Sequence, residues 1–346
     1  MIVKVMNRQS IELMMLALLA LVPAAVLFPG VTYASPPKTT DPKAAFYIEG
    51  RLRISLEEVL SIGTLDDDSL FMWAGIAADP DGSVYVTDAM DYALKKFASS
   101  GRLVKRTGRK GQGPGEFIAP RFLAASGSYL FVTDQTIPGI QVFDKDLGYV
   151  RRIPFTRPIS DIAAISNGRL AVVPMSLGGA GIVVILDTDG SIIKEIRYAE
   201  PKNSLSLYNV ADVEIDGVGD ILLAFSFRDR IEKWSCDGER IWSRQLLDIN
   251  DAPEKKIAQF TVPSEVLFKT ITTGASGRIY VLSGNLTDHP SRDVFVLDQD
   301  GMHLTTFTLP EPSHCIYIDG NDYLYSRANE GVTIKKFRMI LSGQQQ

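Results

Sequence analysis

The chain contains the stretch "IAADPDGSVYVTDAMDYALKKFASSGRLV", from Ile76 to Val104. Its order of features recurs along the chain, and the fold is predicted from this recurrence. The stretch "FLAASGSYLFVTDQTIPGIQVFDKDLGYV", which begins at Phe122, repeats its order of features. Less similar copies follow, and they begin at Ile162, Val213, Ile271 and Cys315. Self-similarity at a spacing of roughly 40 to 60 residues is typical of repeat folds in which each copy forms one structural unit.

Each copy has the same order of local signals. A short apolar run leads to a turn with Gly or Asn, and a second run ends near Asp or Ser. A third run ends in Phe, Trp or Leu, and a turn such as "SSG", "TDG", "CDG" or "QDG" leads to a fourth. Glycine in these turns allows the positive φ that tight hairpins need. The sequence therefore predicts an all-β, six-bladed β-propeller of four-stranded antiparallel blades.

The sixth copy lacks a fourth strand, because the chain soon ends in "ILSGQQQ". The segment "RISLEEVLSIG", from Arg53 to Gly63, resembles a fourth strand and precedes the first copy by a suitable distance. We expect this N-terminal strand to complete the last blade and to close the ring, which removes open sheet edges. The propeller is then predicted to span residues 46–340, followed by a short tail at 341–346.

The N-terminal residues 1–34 have the pattern of a targeting segment. Lys4 and Arg8 precede an almost wholly apolar run from Leu13 to Phe28, and small residues follow in "GVTYAS". Prolines that interrupt the run favour a cleaved signal peptide. An uncleaved membrane anchor is the alternative, since the run approaches the roughly 17 residues of a short span. Residues 35–45 read as an exposed linker, and we expect an exported protein, periplasmic or secreted, or held to a membrane by its N-terminus.

Composition limits the partners. The chain has 36 basic and 41 acidic residues, with a formal net charge of −5. Nucleic acid binding requires a positive footprint, so we expect no nucleic acid partner. The two cysteines, Cys236 and Cys315, lie far apart in sequence. We expect two separate buried thiols, although a disulfide in an exported protein is the alternative.

The glycine-rich stretch "GRKGQGPGEF", from Gly108 to Phe117, allows two interpretations. A phosphate-binding loop would need Lys followed by Ser or Thr after its last glycine, and then a helix. Here the last glycine is followed by Glu116 and Phe117, and strand-forming residues come next. The stretch is therefore predicted to connect blade one to blade two, with Phe117 packed between the blades.

The motifs "GQGPGEFIAP", "LFVTD" and "IQVFDKD" resemble an NHL repeat, and "GSVYVTD" with "LKKF" matches the same core. The resemblance is strong in the first two copies, while the later ones keep only the strand order. It implies a six-bladed propeller of the NHL and TolB-like kind, here in exported form. Members of that class act mostly as protein- or ligand-binding platforms. Some relatives are enzymes, including metal-dependent lactonases, amidating lyases and strictosidine-synthase-like proteins.

The start of each innermost strand should meet the central channel, which predicts a ring of side chains. The candidates in this ring are Arg121, Asp161, Asp212 and His314, with Gly75 and Thr270 at the two remaining positions. A second ring, at the end of each second strand, contains Asp88, Asp134 and Arg327. Asp161, Asp212 and His314 are the candidate ligands of a divalent metal, calcium or zinc, although no cofactor is required by the sequence.

Four basic residues near the glycine-rich stretch form a candidate face for an anionic partner; they are Lys105, Arg106, Arg109 and Lys110. The alternative is an ordinary solvent-facing charged surface. The function that the sequence predicts is a non-catalytic binding platform for an envelope or extracellular protein, peptide or glycan. The alternative is a lactonase-like, metal-dependent hydrolase or lyase whose site is the central channel.

Overall fold

The structure is a computed structural model, and it describes residues 52–63, 75–165, 168–175, 180–199, 207–257, 260–328 and 332–343. The predicted targeting segment and linker lie outside these ranges, as do the last three residues of the predicted tail. No helix formed by the described residues has the length and apolar character needed to cross a membrane.

The strands form six four-stranded antiparallel sheets, the blades of a propeller, which confirms the predicted fold. Blade one contains β2 (Ile76–Ala78), β3 (Val84–Asp88), β4 (Ala93–Phe97) and β5 (Leu103–Thr107). Blade two contains β6 (Pro120–Ser126), β7 (Tyr129–Asp134), β8 (Ile140–Asp144) and β9 (Tyr149–Ile153). Blade three contains β10 (Ile159–Ala164), β11 (Leu170–Pro174), β12 (Gly181–Leu186) and β13 (Ile192–Ala199).

The second half of the chain continues this order. Blade four contains β14 (Ala211–Ile215), β15 (Ile221–Phe225), β16 (Ile231–Trp234) and β17 (Arg240–Arg244). Blade five contains β20 (Phe268–Thr273), β21 (Ile279–Ser283), β22 (Asp293–Leu297) and β23 (His303–Thr308). Blade six contains β24 (Ile316–Ile318), β25 (Tyr323–Ala328), β26 (Thr333–Ser342) and β1 (Arg53–Ile62).

Ring closure occurs as predicted, because β1 pairs with β26 in antiparallel register from Arg53 opposite Ser342 to Ile62 opposite Ile334. A bulge at Val59 shifts this register. On one side of the bulge, Leu56 packs in the core between blades five and six, and beyond it Ile62 packs between blades six and one. The extra residue therefore turns the strand so that it serves both neighbouring blades.

Six apolar clusters, one at each seam between adjacent blades, form the core of the described chain. Strands in the middle of each blade are buried on both faces by the neighbouring blades, which explains their unbroken apolar runs. In β3, for example, all five residues are buried, whereas in the outermost strand β5 four of five are exposed. Burial of both sheet faces gives the core its continuity around the ring.

The glycine-rich stretch connects β5 to β6, as predicted. Phe117 is fully buried and lies 5.8 Å from the Phe143 ring, measured between centroids. Gly108 has φ of 105°, and a Cβ at this position would lie 2.5 Å from the carbonyl oxygen of Tyr92. The Glu116 carboxylate accepts a hydrogen bond of 2.8 Å from the Gly113 N–H, which closes the loop on itself.

One element is absent from the predicted repeat. The chain between blades four and five forms a hairpin of β18 (Glu254–Ile257) and β19 (Phe260–Pro263). Its base is held by a 2.6 Å hydrogen bond from the Tyr208 hydroxyl to Glu254 Oε1. Tyr208 belongs to a 3-10 helix, Leu207–Asn209, that lies directly before β14. The hairpin is therefore tied to the point where the innermost strand of blade four begins.

Candidate functional site in the central channel

The innermost strands β2, β6, β10, β14, β20 and β24 each contact the innermost strands of the two adjacent blades. This closed set of contacts surrounds a central channel. We call the side on which these six strands begin the entrance face, and the end of the channel on that side the channel mouth. Arg121, Asp161, Asp212, Thr270 and His314, predicted from the sequence, all lie at or next to the start of an innermost strand.

Two carboxylates at the channel mouth join adjacent blades. Asp161 Oδ2, in blade three, accepts a 2.8 Å hydrogen bond from the Val213 N–H of blade four. Asp212 Oδ2, in blade four, accepts an equal bond from the Ile271 N–H of blade five. The inner edge of a propeller blade carries N–H groups with no strand beside them, and each carboxylate satisfies one of these groups.

The next two seams use neutral groups for the same purpose. The Ile318 N–H of blade six lies 3.4 Å from the Thr272 hydroxyl oxygen of blade five. Tyr317 of blade six is hydrogen-bonded to the backbone of Ala78 in blade one. Both contacts lie on innermost strands, so the links continue around the ring.

Blades one to three complete the ring of links. The Gly75 N–H donates a 2.8 Å hydrogen bond to the Arg121 carbonyl oxygen, and the Thr87 hydroxyl donates one of 2.7 Å to the same oxygen. A Cβ at Gly75 would lie 2.6 Å from the backbone nitrogen of Leu123, so the close approach of blades one and two requires glycine. The Arg121 guanidinium then acts on Asp161 in blade three and favours its ionised form.

The carboxyl groups of blades three and four form an acidic cluster, which we define as Asp161, Asp212 and Glu214. A hydrogen bond joins Asp161 to Asp212, and this contact requires a proton on one of the two groups. Burial raises the pKa of Asp161 to about 6, and burial together with the Asp161 charge raises the pKa of Asp212 well above its usual value. Burial also raises the pKa of Glu214 to about 7.

A basic cluster lies next to the acidic cluster, at the seam of blades five and six; we define it as Lys269, His314 and Arg327. The Lys269 ammonium donates a 3.1 Å hydrogen bond to the Ser313 carbonyl oxygen. The His314 N–H of the backbone donates one of 3.1 Å to the Arg327 carbonyl oxygen. Arg327 is 1% exposed, whereas His314 is an exposed residue.

The electrostatics of the basic cluster reflect burial and like charge. Burial lowers the pKa of Lys269 to about 8. Burial, with the nearby cations of Lys269 and Arg327, lowers the pKa of His314 to about 4. Burial also raises the pKa of the adjacent Cys315 thiol to about 11, so the thiol is neutral at pH 7. The cluster therefore combines two cations with a neutral imidazole.

The structure does not bring the predicted metal ligands Asp161, Asp212 and His314 together as one ion-binding group in the part of the chain that it describes, and their role as ligands stays a prediction. No group of three or more His, Cys, Asp or Glu side chains there could hold one ion. The physical reason is the surroundings of each group. The two carboxyl groups bind each other and the backbone of the next blade, and His314 lies among cations.

The second predicted ring is divided between two roles. Asp88 is fully buried, and its carboxylate forms a 2.9 Å ion pair with the Lys95 ammonium on the adjacent strand. The Asp134 carboxylate organises the connector and loop of blade two, because it accepts hydrogen bonds from the N–H groups of Ile118, Ala119, Thr136 and Ile137. Asp134 is thus a loop-capping residue. Arg327 alone of these three belongs to a cluster at the channel mouth.

The predicted anionic-partner face is partly neutralised within the chain. Arg106 Nε forms a 2.7 Å ion pair with Asp91, and Arg109 forms one of 2.6 Å with Glu116. The Lys110 ammonium lies 5.5 Å from the centre of the Tyr92 ring. Lys105 is exposed on the outermost strand of blade one, and the role of this face in binding stays a prediction.

Sequence reasoning missed Glu214, Thr272 and Lys269. Glu214 and Thr272 each stand two residues after a predicted ring position, and the period of a strand places them on the same face. That signal was available for both. Lys269 directly precedes Thr270 and occupies a bulge in the pairing of β20 with β21. A bulge of this kind cannot be read from a single sequence, so Lys269 could not be assigned to the channel.

The two cysteines are free thiols, with Cys236 exposed and Cys315 partly buried. The expectation of two separate thiols is confirmed, but the expected burial is wrong for Cys236, which lies in the exposed turn between β16 and β17. The hydroxyl oxygen of Thr270 is buried and has no hydrogen-bond partner among the described residues. Thr270 occupies the strand position that Asp161 and Asp212 occupy in their blades, but it does not form their link to the next blade.

Comparison with known proteins supports the fold. The sequence matches no family model and no curated protein sequence. Among solved structures, a member of the DUF4221 family from Bacteroides vulgatus is 12% identical with a TM-score of 0.60, and the alignment covers 85% of this chain and 99% of that one. Virginiamycin B lyase from Staphylococcus aureus is 14% identical with a TM-score of 0.53, covering 83% of this chain and 100% of the lyase.

A candidate exported protein from Bacteroides fragilis is also similar, at 13% identity and a TM-score of 0.54, with 85% of this chain and 96% of that chain covered. The chain is therefore a six-bladed β-propeller whose structural neighbours include a lyase and proteins of unassigned function. At such identities the likeness shows the fold alone, because one propeller fold serves many functions.

Proposed function

We propose that the protein is an exported β-propeller of the NHL kind that binds a protein, peptide or glycan at its entrance face without catalysing a reaction. The observation that carries this proposal is the hairpin β18–β19. It is not needed to complete any blade, yet it is fixed beside the start of β14 by the contact between Tyr208 and Glu254. Added elements on a rigid scaffold are typical of binding sites.

The hairpin offers groups that a partner can contact. Lys255 and Lys256 of β18 are exposed, whereas Val262 of β19 is buried against the propeller. The adjacent loop is rigid, because the Asp229 carboxylate accepts hydrogen bonds from the N–H groups of Leu246, Leu247 and Ile249. One side of the hairpin is thus anchored and the other is available. Export is supported by the N-terminal pattern and agrees with the Bacteroides fragilis neighbour.

The test uses the full chain on peptide and glycan arrays, beside a variant in which residues 254–263 are replaced by a short Gly-Ser linker. We expect a reproducible set of bound peptides or glycans for the native chain and loss of that set in the variant. Circular dichroism and thermal unfolding show whether the variant keeps the propeller. Equal binding by both proteins, or no binding by the native chain on either array, would contradict the proposal.

A second candidate is a metal-dependent hydrolase or lyase of the lactonase-like kind, with calcium or zinc at the channel. One observation favours it, which is that a lyase is among the structural neighbours. Elemental analysis of the purified full chain and of Asp212→Ala tests this candidate. A stoichiometric ion that is lost in the variant, together with turnover of a lactone or ester, would replace the binding-platform proposal.

A further inference from the structure

The basic cluster contains a partly buried cation, the Lys269 ammonium, which forms no ion pair with the described residues. Within the described chain, no carboxylate lies within ion-pair distance of the Lys269 ammonium, and its hydrogen-bond acceptor is the neutral Ser313 carbonyl. The neighbouring acidic group is the Cys315 thiol, which is neutral at pH 7. Burial of an ammonium group without a counter-charge destabilises a fold, so its presence indicates a partner of opposite charge.

A second, independent observation lies at the adjacent residue. The Thr270 hydroxyl is buried and lacks a hydrogen-bond partner in the described chain. At the same strand position, Asp161 and Asp212 bind the next blade, but in blade five Thr272 makes that contact instead. Thr270 therefore has no part in the seam. An unmade hydrogen bond of a buried hydroxyl is unfavourable, and an oxygen atom of a ligand would satisfy it.

The third group provides access from solvent. The His314 side chain is exposed, and its backbone is fixed on both sides: its N–H binds the Arg327 carbonyl, and the preceding Ser313 hydroxyl binds the Cys315 carbonyl at 2.7 Å. A neutral imidazole offers one N–H donor. Lys269, Thr270 and His314 thus offer three hydrogen-bond donors at the channel mouth, one of them charged.

We propose that Lys269, Thr270 and His314 form a subsite for a carboxylate group of the bound ligand, an inference that rests on the proposed binding function. A carboxylate oxygen accepts bonds from all three donors and neutralises the ammonium group. The acidic cluster of the adjacent blades three and four favours a single negative charge over the double charge of phosphate. Such a carboxylate occurs at the C-terminus of a peptide and in the uronic acids of a glycan.

The experiment uses the full chain labelled with [13C]histidine, since only three histidines are present. The probes are N-acetylglycine, which mimics a peptide C-terminus, and methyl glucuronide; N-acetylglycinamide and methyl glucoside are their neutral counterparts. At constant pH, we expect both or one of the carboxylates to shift the His314 ring resonance in a saturable way. His289 and His303 should not move. The stronger carboxylate identifies the source, peptide or glycan.

Two variants and one control define the subsite. Lys269→Met should weaken carboxylate binding about tenfold or more, because it removes a charge-assisted hydrogen bond. Thr270→Val should weaken it less, and Arg102→Met, which removes an exposed cation beside the outermost strand of blade one, should leave it unchanged. Circular dichroism confirms that each variant is folded.

Three results would overturn the inference: an unmoved His314 resonance, equal shifts with the neutral counterparts, or tighter binding of inorganic phosphate. Unchanged affinity in Lys269→Met would do the same. If the arrays detect a ligand while His314 stays unmoved, the subsite is wrong and the binding function stands. If the arrays detect none but the carboxylates bind, the subsite stands and the proposed macromolecular partner is wrong.

Discussion

The two sides of the channel mouth use equivalent strand positions in opposite ways. In blades three and four, Asp161 and Asp212 bind backbone N–H groups of the next blade, and every contact strengthens the ring. In blade five, Thr270 makes no such contact, and Lys269 beside it is a partly buried cation that forms no ion pair with the described residues. A propeller can therefore complete its seams with some channel residues and keep others in an unfavourable state that a ligand relieves.

The largest effect is expected at the acidic seam. Asp161→Ala should lower the free energy of unfolding by about 3 kcal/mol, because it leaves the Val213 N–H unsatisfied and removes the carboxylate that faces Arg121. Urea denaturation of the full chain measures this change. Asp161→Asn keeps an acceptor for Val213 and should lose about 1 kcal/mol. Similar small losses in both variants would show that this seam does not hold the blades together.

Glu214 makes the stability of the acidic side of the channel mouth depend on pH. Its pKa is raised from 4.5 to about 7, so its contribution to stability is complete below pH 4.5 and is lost as pH rises through 7. The lowered pKa of His314 acts in the opposite sense, since its contribution is lost as pH falls from 6.5 towards 4. The difference in free energy of unfolding between the native chain and a Glu214 variant cancels the contribution of His314, which both proteins share.

Glu214→Gln carries no ionisable group and keeps the shape of the neutral acid. Relative to the native chain, its free energy of unfolding should rise by about 2 kcal/mol between pH 5 and pH 8. Asp161 and Asp216 act on Glu214, and the Ile215 N–H and Thr272 bind it, so all remain in place in both proteins. Parallel curves for the two proteins from urea denaturation at each pH would show that Glu214 keeps an ordinary pKa in the fold.

The smallest effect should have the opposite sign. Lys269→Met removes a partly buried cation near His314 and Arg327 and replaces it with a side chain of similar volume. We expect the free energy of unfolding at pH 7 to increase by about 1 kcal/mol. Lys256→Met, on the exposed hairpin, is the matched control and should be neutral. A loss of stability in Lys269→Met would mean that the ammonium belongs to the scaffold rather than to a ligand site.

Much of this architecture can be predicted from the sequence, because the repeat itself contains the information. The recurring short apolar runs, the turn glycines and the missing fourth strand of the last copy were enough to predict six blades and closure by β1. The ring positions Asp161, Asp212 and His314 followed from aligning the copies. These features depend on local signals that recur, so each copy supports the prediction from the others.

The roles of the channel residues could not be predicted in the same way. The sequence places Asp161 and Asp212 near the axis. It does not show that each carboxylate accepts a hydrogen bond from a backbone N–H of the next blade. The sequence suggested that Asp161, Asp212 and His314 bind a metal together, whereas the structure joins Asp161 and Asp212 to each other. The hairpin β18–β19 has no counterpart in the other copies of the repeat. Lys269 lies at the channel mouth because it occupies a bulge in β20. Both depend on contacts between blades that no local pattern contains.

Closure of the ring also orders events in time. Arg53 pairs with Ser342, so β1, the first strand of the propeller to be synthesised, cannot form its hydrogen bonds until β26, the last strand, has been synthesised. At about 5 to 20 residues per second, that wait lasts roughly 15 to 60 seconds. During this interval Leu56 and the edge of β1 lack their partner strand, and an unpaired edge of this kind is prone to aggregation. Survival of the nascent chain therefore depends on what shields β1 until β26 arrives.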